Sequence, residues 1–408
     1  MKLEKNASVC MKALPFWMLP YTFYMYYLSL FLMEKGLTSS QITLLMSITN
    51  ITSLVFSFVA SPIVDRLGRK NTLTIFDLLS SAVPAAILLV SQSFVPAMIA
   101  LGLSGLNRVM STAYYLVLVE DTSDRNSMDS MNMFNIITVL SGVATPIAGI
   151  IVTKLGIIRG ENLFLIVSVV LMTTQCLVRH FFISETPTGM AVKAAHSKFS
   201  LKDVLVSYRD MAKHLGKNRR LLAALLINSL MYVYYNLGTT TSLLFTPYFA
   251  HFRNLTGVVL ASIGSIYSIG TLFSMLVINP RMDRKTIHAF ILISGLVSMC
   301  GFAMIILCPA GNTVLLIAAV ILLALGYGVL KSGADALLAM ENEGEFGAGV
   351  YALAFVLSSV FSILAIQLVN ILYEKSPNWL FGLSAAIVAI IIGIAIPYVR
   401  PGKEVPDA

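Results

Sequence analysis

The chain has 408 residues, 57% hydrophobic and only 12% charged, with a formal net charge of +8. A soluble domain carries about 25% charged residues, so the composition excludes a water-soluble globular protein and points to a chain embedded in a bilayer. The polar gaps are too short to fold into a separate soluble domain.

Apolar runs of about 20 residues, the length that crosses a bilayer, occur at 13–33, 42–64, 72–91, 94–119, 132–155, 163–183, 221–249, 257–279, 286–308, 313–340, 347–372 and 378–399. They predict an all-α membrane protein with twelve transmembrane helices. No small-residue cleavage site ends the first run and more spans follow it, so it reads as a retained helix rather than a signal peptide. If the N-terminus is inside, alternate loops gather most of the basic residues. Among these are Arg66, Arg69, Lys70, Lys193, Lys198, Lys202, Arg219, Arg220, Arg281, Arg284 and Lys285. The opposite loops hold Lys35, Lys154, Arg159, Arg253 and Lys375. That bias is the positive-inside pattern. It places both termini in the cytoplasm and explains the net charge by topology, so no nucleic-acid partner is expected.

The longest polar gap divides the spans six and six. The expected organisation is an N-terminal six-helix bundle (1–185), a cytoplasmic linker (186–220) and a C-terminal six-helix bundle (221–408). Within the linker, Leu201, Val204, Leu205, Tyr208, Met211 and Leu215 share one helical face, which predicts an amphipathic helix on the inner membrane surface. The halves also resemble each other. Residues 37–66 slide without a gap onto 255–284, matching Leu37 to Leu255, Ser47 to Ser265, Pro62 to Pro280, Asp65 to Asp283 and Arg66 to Arg284. A second register pairs Gly105 with Gly328, Arg108 with Lys331 and Glu120 with Glu343. The six-helix unit therefore appears twice, in parallel.

The loop SPIVDRLGRKNT (61–72) concentrates charge between two spans. Gly68 permits the backbone angles of a tight turn, while Arg66, Arg69 and Lys70 hold the loop inside. Asp65 lies at a helix C-terminus, where the dipole disfavours an anion, so it needs a partner. The acidic run EDTSD, with Glu120 and Asp121, offers carboxylates to Arg66 or Arg69 on the same side. Asp283, Arg284 and Glu343 repeat the arrangement in the second half.

DRLGRK after the second span, a shorter MDRK after the eighth, the twelve spans and the basic central segment resemble the major facilitator superfamily over nearly the whole chain. The family's loop motif, Gly-x-x-x-Asp-Arg-x-Gly-Arg-Lys/Arg, is matched by Asp65, Arg66, Gly68, Arg69 and Lys70, with Ser61 in place of the leading glycine. SETPTG (184–189) resembles the family's Glu-Thr signature after helix six. SGVATPIAG (141–149) loosely resembles its antiporter motif, with Thr145 where a glycine stands. The resemblance implies a secondary transporter of drug- or metabolite-exporter type, working by rocker-switch alternating access, with the loop cluster as an inner gate.

Ionisable residues inside spans are costly and mark functional sites. Arg108 lies about 18 Å along the helix from Glu120 at 1.5 Å per residue, near mid-membrane, with Tyr115 on its face. Lys331 and Asp335 are spaced to pair along helix ten. These three are candidates for binding substrate, carrying protons or bracing the bundle. Burial would favour a protonated Asp335 and Lys331 would oppose it, a balance the sequence leaves open. Asp77 and Arg179 are expected to snorkel or pair locally. Asn228, Tyr232, Tyr235 and Thr239 form one polar face of helix seven, with Asn236 beside it; Tyr24 and Tyr27 on helix one and Asn50 on helix two complete the cavity candidates. An aromatic cavity suits a planar or amphipathic organic solute, including cations through cation–π contact.

The cysteines Cys10, Cys176, Cys300 and Cys308 have no metal spacing and suggest no disulfide framework. No Gly-x-x-x-x-Gly-Lys-Ser/Thr, His-Glu-x-x-His or Gly-x-Ser-x-Gly motif occurs. The expectation is a non-enzyme without cofactor or metal, a multi-pass protein of the plasma membrane acting as a monomer. It would export a small organic or amphipathic molecule against protons. Uptake of a sugar, nucleoside or organic acid is the alternative, and lipid flipping a third.

Overall fold

The computed structural model describes residues 4–90, 93–120, 124–195, 218–282, 285–309, 311–341 and 347–398. The described residues are almost entirely helical, with no strand among them. The amphipathic linker helix expected at 201–215 lies outside them, as do Asp121, Asp283, Arg284 and Glu343. Among the described residues, eleven helices are long and apolar enough to cross a membrane. The run at 13–33 forms a further helix of 20 residues, Pro15–Glu34, whose apolar character is diluted by Tyr21, Thr22, Tyr24, Tyr26 and Tyr27. Large apolar side chains such as Val55, Ile166, Val170, Leu296 and Leu364 are exposed, as a lipid-facing surface requires and a water-facing one penalises.

The chain divides into two compact units, Met1–Phe199 with Thr256–Ser262, and Ser200–Leu255 with Ile263–Ala408. The first unit contains α1 (Lys5–Ala13), α2 (Pro15–Glu34), α3 (Ser39–Leu67), α4 (Arg69–Asp77), α5 (Val83–Val90), α6 (Phe94–Ser104), α7 (Asn107–Val119), α8 (Asp124–Val143), α9 (Thr145–Leu155), α10 (Ile157–Phe182) and α11 (Pro187–Ala195). Helix α3 starts on a capping box in which Thr38 and Gln41 satisfy each other's backbone donors. A π-helical turn, Leu78–Ala82, links α4 to α5 within one span. Two runs read as single helices are broken. The fourth span bends at Gly105–Leu106 between α6 and α7. The fifth breaks at Ala144, because Pro146 in the first turn of α9 has no backbone N–H to continue the ladder.

The second unit contains α12 (Arg219–Gly238), α13 (Gly257–Phe273, its start belonging to the first unit), α14 (Ile287–Leu307), α15 (Thr313–Glu341), α16 (Gly347–Tyr373) and α17 (Trp379–Tyr398). The run at 221–249 is also not one helix. The hydroxyls of Thr239 and Thr241 both donate to the Tyr235 carbonyl, at 2.7 Å each, and helix α12 stops there as such side chains compete with the backbone ladder. The two copies of the sequence repeat differ in local structure. Helix α3 runs unbroken to Leu67, whereas α13 passes into a π turn, Ser274–Ile278, and a 3₁₀ turn, Asn279–Arg281.

The paired glycines of the repeat mark close helix approaches. A Cβ on Gly105 would run into the Thr52 side chain and come within 2.8 Å of the Ser53 backbone nitrogen; one on Gly328 would sit 2.8 Å from Ser274 Cβ. At Gly102, one turn earlier, the nearest atom would be 3.4 Å away on Ile48. Gly105→Ala is therefore expected to destabilise the protein by about 1–3 kcal/mol through overpacking, while Gly102→Ala stays near neutral. Thermal unfolding of the purified variants in detergent measures both.

Candidate functional site

Three polar centres stand out, two in the first unit and one in the second. The first is the loop between α3 and α4. Gly68 has φ +85 and closes the turn, where a side chain would be strained. Its absent side chain also leaves room for Glu185, whose carboxylate would lie 2.5 Å from a Cβ there. Glu185 accepts from the backbone N–H groups of Arg69 at 2.8 Å and Lys70 at 3.1 Å. These are orphan donors at the start of α4, where the helix dipole favours an anion.

The Arg69 side chain is 4% exposed and pairs with Asp65 at 3.2 Å and Glu120 at 2.8 Å. Its Nε also reaches both Glu120 oxygens, and Thr186 donates to Glu120 at 2.7 Å. The expected partner of Asp65 thus includes Arg69, one turn along in the same loop. The arginine that takes Glu120 is Arg69, while Arg66 is exposed. The SETPTG segment was read only as a signature; it supplies two members of this cluster.

The second centre is a cavity within the first unit. Helix α2 contributes Trp17 and Met18, α7 contributes Asn107, Met110, Ser111, Tyr114 and Tyr115, and α8 contributes Phe134. Leu14, Asp77 of α4 and Gln175 and Arg179 of α10 complete it. About 80 Å³ is open to the centres of water molecules, several times what one water needs. Asp77 and Arg179, expected to snorkel or pair locally, instead pair with each other across 102 residues and are 1% and 4% exposed. Both face inward, and charges removed from water must bring a partner. Gln175 donates to Asp77 Oδ2 at 2.7 Å and Ser81 to Oδ1 at 3.2 Å. The Arg179 guanidinium lies 5.6 Å from the centre of the Tyr114 ring.

Of the sequence candidates in this unit, Tyr115 lines the cavity and is partly exposed. Arg108 is half-buried and does not line it. Asn50 bonds back to the Met46 carbonyl of its own helix. Tyr24 and Tyr27 are buried and do not line it. Glu161 was not anticipated. It is fully buried, and neither carboxylate oxygen has a hydrogen-bond partner among the described residues.

The third centre lies in the second unit. Lys331 and Asp335 form the i,i+4 pair that their spacing predicts, and Asn228 of α12 donates to the other Asp335 oxygen at 2.8 Å. The Asp335 side chain is 50% exposed, which corrects the picture of a buried carboxylate. The rings of Tyr232 and Tyr235 are 6.1 Å apart, and Tyr235 stacks at 6.4 Å on Tyr327 of α15, which sequence reasoning missed. Asn236 bonds to Ser362 of α16 at 3.1 Å. Thr239 lies beyond the end of α12, so the polar stripe is one residue shorter than expected. Among the described residues no group of His, Cys, Asp or Glu could hold a metal ion.

The sequence model of the Major Facilitator Superfamily matches residues 16–364. No curated protein matches the chain. Solved structures share the fold at low identity. The human organic anion transporter MFSD10 (TETRAN) aligns with TM-score 0.66 and 12% identity, over 96% of this chain and 99% of that one. A bacterial homologue of the iron transporter ferroportin, inward-facing, aligns with TM-score 0.72 and 12% identity, over 98% and 100%. A D-xylose-proton symporter aligns with TM-score 0.70 and 9% identity, over 98% and 99%. The cargoes named for these relatives are unlike one another, so the shared fold carries no substrate with it.

The loop cluster makes a direct prediction. Arg69→Ala leaves Asp65 and Glu120 facing Glu185 without their shared cation, and should cost about 3 kcal/mol. Arg69→Lys should cost less, because it keeps the charge and loses only the forked geometry. Denaturation of the two variants in detergent gives the difference.

Proposed function

The chain belongs to the Major Facilitator Superfamily, and on that premise we propose that it is a secondary transporter exporting a small organic or amphipathic compound in exchange for protons. The observation that carries this reading is the aromatic-walled cavity of the first unit, whose lining includes the buried Asp77–Arg179 pair. An apolar wall with a few fixed polar groups is the usual form of an organic-ligand site. Two carboxyl groups suit the proton. Asp335 is open to water and held by Lys331 and Asn228, and Glu161 is sealed from water without a hydrogen-bond partner among the described residues. The break at Ala144 before Pro146 falls in the segment resembling an antiporter motif, which favours export.

In this reading helix α2 is the twelfth span, both termini are cytoplasmic, and the protein works as a monomer in the plasma membrane. The two units alternate access to the solute, and the Asp65–Arg69–Glu120 cluster serves as a latch at the inner gate. Its arginine is shared between two carboxylates, so the loop can exchange one ion pair for another at small net cost.

The test is a panel of planar amphipathic dyes on cells expressing the protein, with and without a proton uncoupler. Accumulation should fall at least severalfold and recover when the uncoupler is added. Asp335→Asn should abolish the difference, and Asp65→Asn should reduce transport with surface expression intact. Raised accumulation would instead make the protein an uptake permease. Lipid movement in vesicles with no solute movement would make it a flippase.

A further inference from the structure

Helices α12 and α15 of the second unit lie side by side with their chains in opposite directions. Asn228 meets Asp335 at 2.8 Å, and Tyr235, further along α12, stacks at 6.4 Å on Tyr327, earlier in α15. Tyr232 and Lys331 each stand one helical turn from the first contact, about 6 Å along the axis. The result is a strip about 12 Å long, with charges at one end and rings at the other. It is open: the Asp335 and Lys331 side chains are 50% and 30% exposed, and Tyr232 and Tyr235 are half-buried. Both helices are long and apolar enough to span a membrane, where exposed charges face water rather than lipid. Each Asp335 oxygen takes one donor, from Asn228 or from Lys331, and a carboxylate oxygen accepts two. Lys331 gives one of its three ammonium protons to Asp335. Asn236 and Ser332, beside the strip, are engaged elsewhere, with Ser362 and Asn279. Both members of a net-neutral ion pair therefore keep open bonding capacity, side by side.

From this arrangement we propose that the strip holds a small zwitterion bearing a planar ring, the chemistry of an aromatic amino acid. The inference deepens the transport reading and rests on it, because it names the class of solute that the exporter carries. An exposed ion pair is already hydrated and worth little, so a neutral hydroxyl that replaces a water there gains almost nothing. A ligand with a single charge draws one member of the pair to itself and leaves the other short of its partner. A ligand with both charges keeps every ion paired: its ammonium joins Asp335 while its carboxylate joins Lys331, with charge-assisted hydrogen bonds at each. The ring then packs on the exposed faces of Tyr232 and Tyr235, the next side chains along the strip.

The probe is tritiated L-phenylalanine, dialysed to equilibrium against the purified full-length protein in detergent, without any ion gradient. Binding should be saturable. Phenethylamine and 3-phenylpropionate each keep the ring and one charge, and should compete about tenfold less well than unlabelled phenylalanine, the worth of one charge-assisted contact. D-Xylose, a neutral polyol, should not compete. Charge selectivity should then follow the strip. Lys331→Gln should lower phenylalanine affinity about tenfold and make phenethylamine the better of the two analogues. Asp335→Asn should lower it as much and make 3-phenylpropionate the better one. A pair that merely braced the helices would lose affinity without reversing that preference. Melting temperatures identify any variant that fails to fold, and the competition series on the unaltered protein decides without variants. No saturable binding, xylose or a singly charged analogue competing as well as phenylalanine, or the same analogue preference in both variants would overturn the proposal. Phenylalanine binding with no uncoupler-sensitive export keeps the site and loses the export reading. Uncoupler-sensitive dye export without phenylalanine binding does the reverse.

Discussion

A charge that leaves water must take its partner with it, and this constraint organises the polar residues of the protein. Hydrocarbon offers no competing solvent, so an unpaired ion inside a span is far more costly than on a soluble surface. Asp77 and Arg179 obey the rule most strictly: nearly all their surface is gone, and the carboxylate collects three donors. Arg69 obeys it at the end of the bundle, shared by Asp65 and Glu120. Lys331 and Asp335 obey it within one helical turn, and remain open enough to meet a solute or a proton. The departure is Glu161, a buried carboxyl without a hydrogen-bond partner among the described residues.

The sequence reveals those features whose cause is local. Apolar run length sets most of the spans to within a few residues, since one bilayer thickness fixes one helix length, but the run at 221–249 outlasts its helix, which stops at Gly238. Helical spacing is enough to foresee the Lys331–Asp335 pair, and a glycine between charged residues is enough to foresee the turn at Gly68. Partners supplied by distant segments are illegible. Asp77 and Arg179 each look like a lone charge near a span end, and only packing of α4 on α10 shows that they form one site. Glu185 caps a helix that begins 116 residues before it, a relation no periodicity encodes. Tyr327 hides in an apolar run, and its stacking on Tyr235 depends on how α12 and α15 meet. Helix interruptions fall between these cases. Pro146 and the threonines after Gly238 are visible breakers, whereas the π turns after Asp77 and Phe273 leave no clear mark in composition.

The internal repeat shows how far duplication fixes structure. Matching glycines keep two helix pairs close, at Gly105 and at Gly328. The helices that carry the repeated Pro-x-x-Asp-Arg ending have nonetheless diverged. In α3 the proline lies inside a continuous helix, while its counterpart Pro280 falls in a 3₁₀ turn that follows a π turn. A helix terminus is held by few packing contacts, so it tolerates local rearrangement that a close helix crossing does not.

The two charge centres of the first unit are joined by a single short helix. Arg69 and Asp77 are the first and last residues of α4, about 12 Å apart at 1.5 Å per residue. The chain around residues 175–185 follows α4 along its length. Gln175 and Arg179 hold Asp77 at one end, and Glu185 holds the backbone of Arg69 and Lys70 at the other. Between them Cys176 bonds to the Thr74 carbonyl and His180 shares a hydrogen bond with the Thr74 hydroxyl at 3.0 Å. A segment fastened at so many points moves as one body, because a close-packed interior has little slack to absorb a shift. A change at the cavity that displaces Asp77 therefore displaces Arg69 as well, and the loop cluster has to exchange partners or break. The cavity and the charged loop thus lie at the two ends of one short helix.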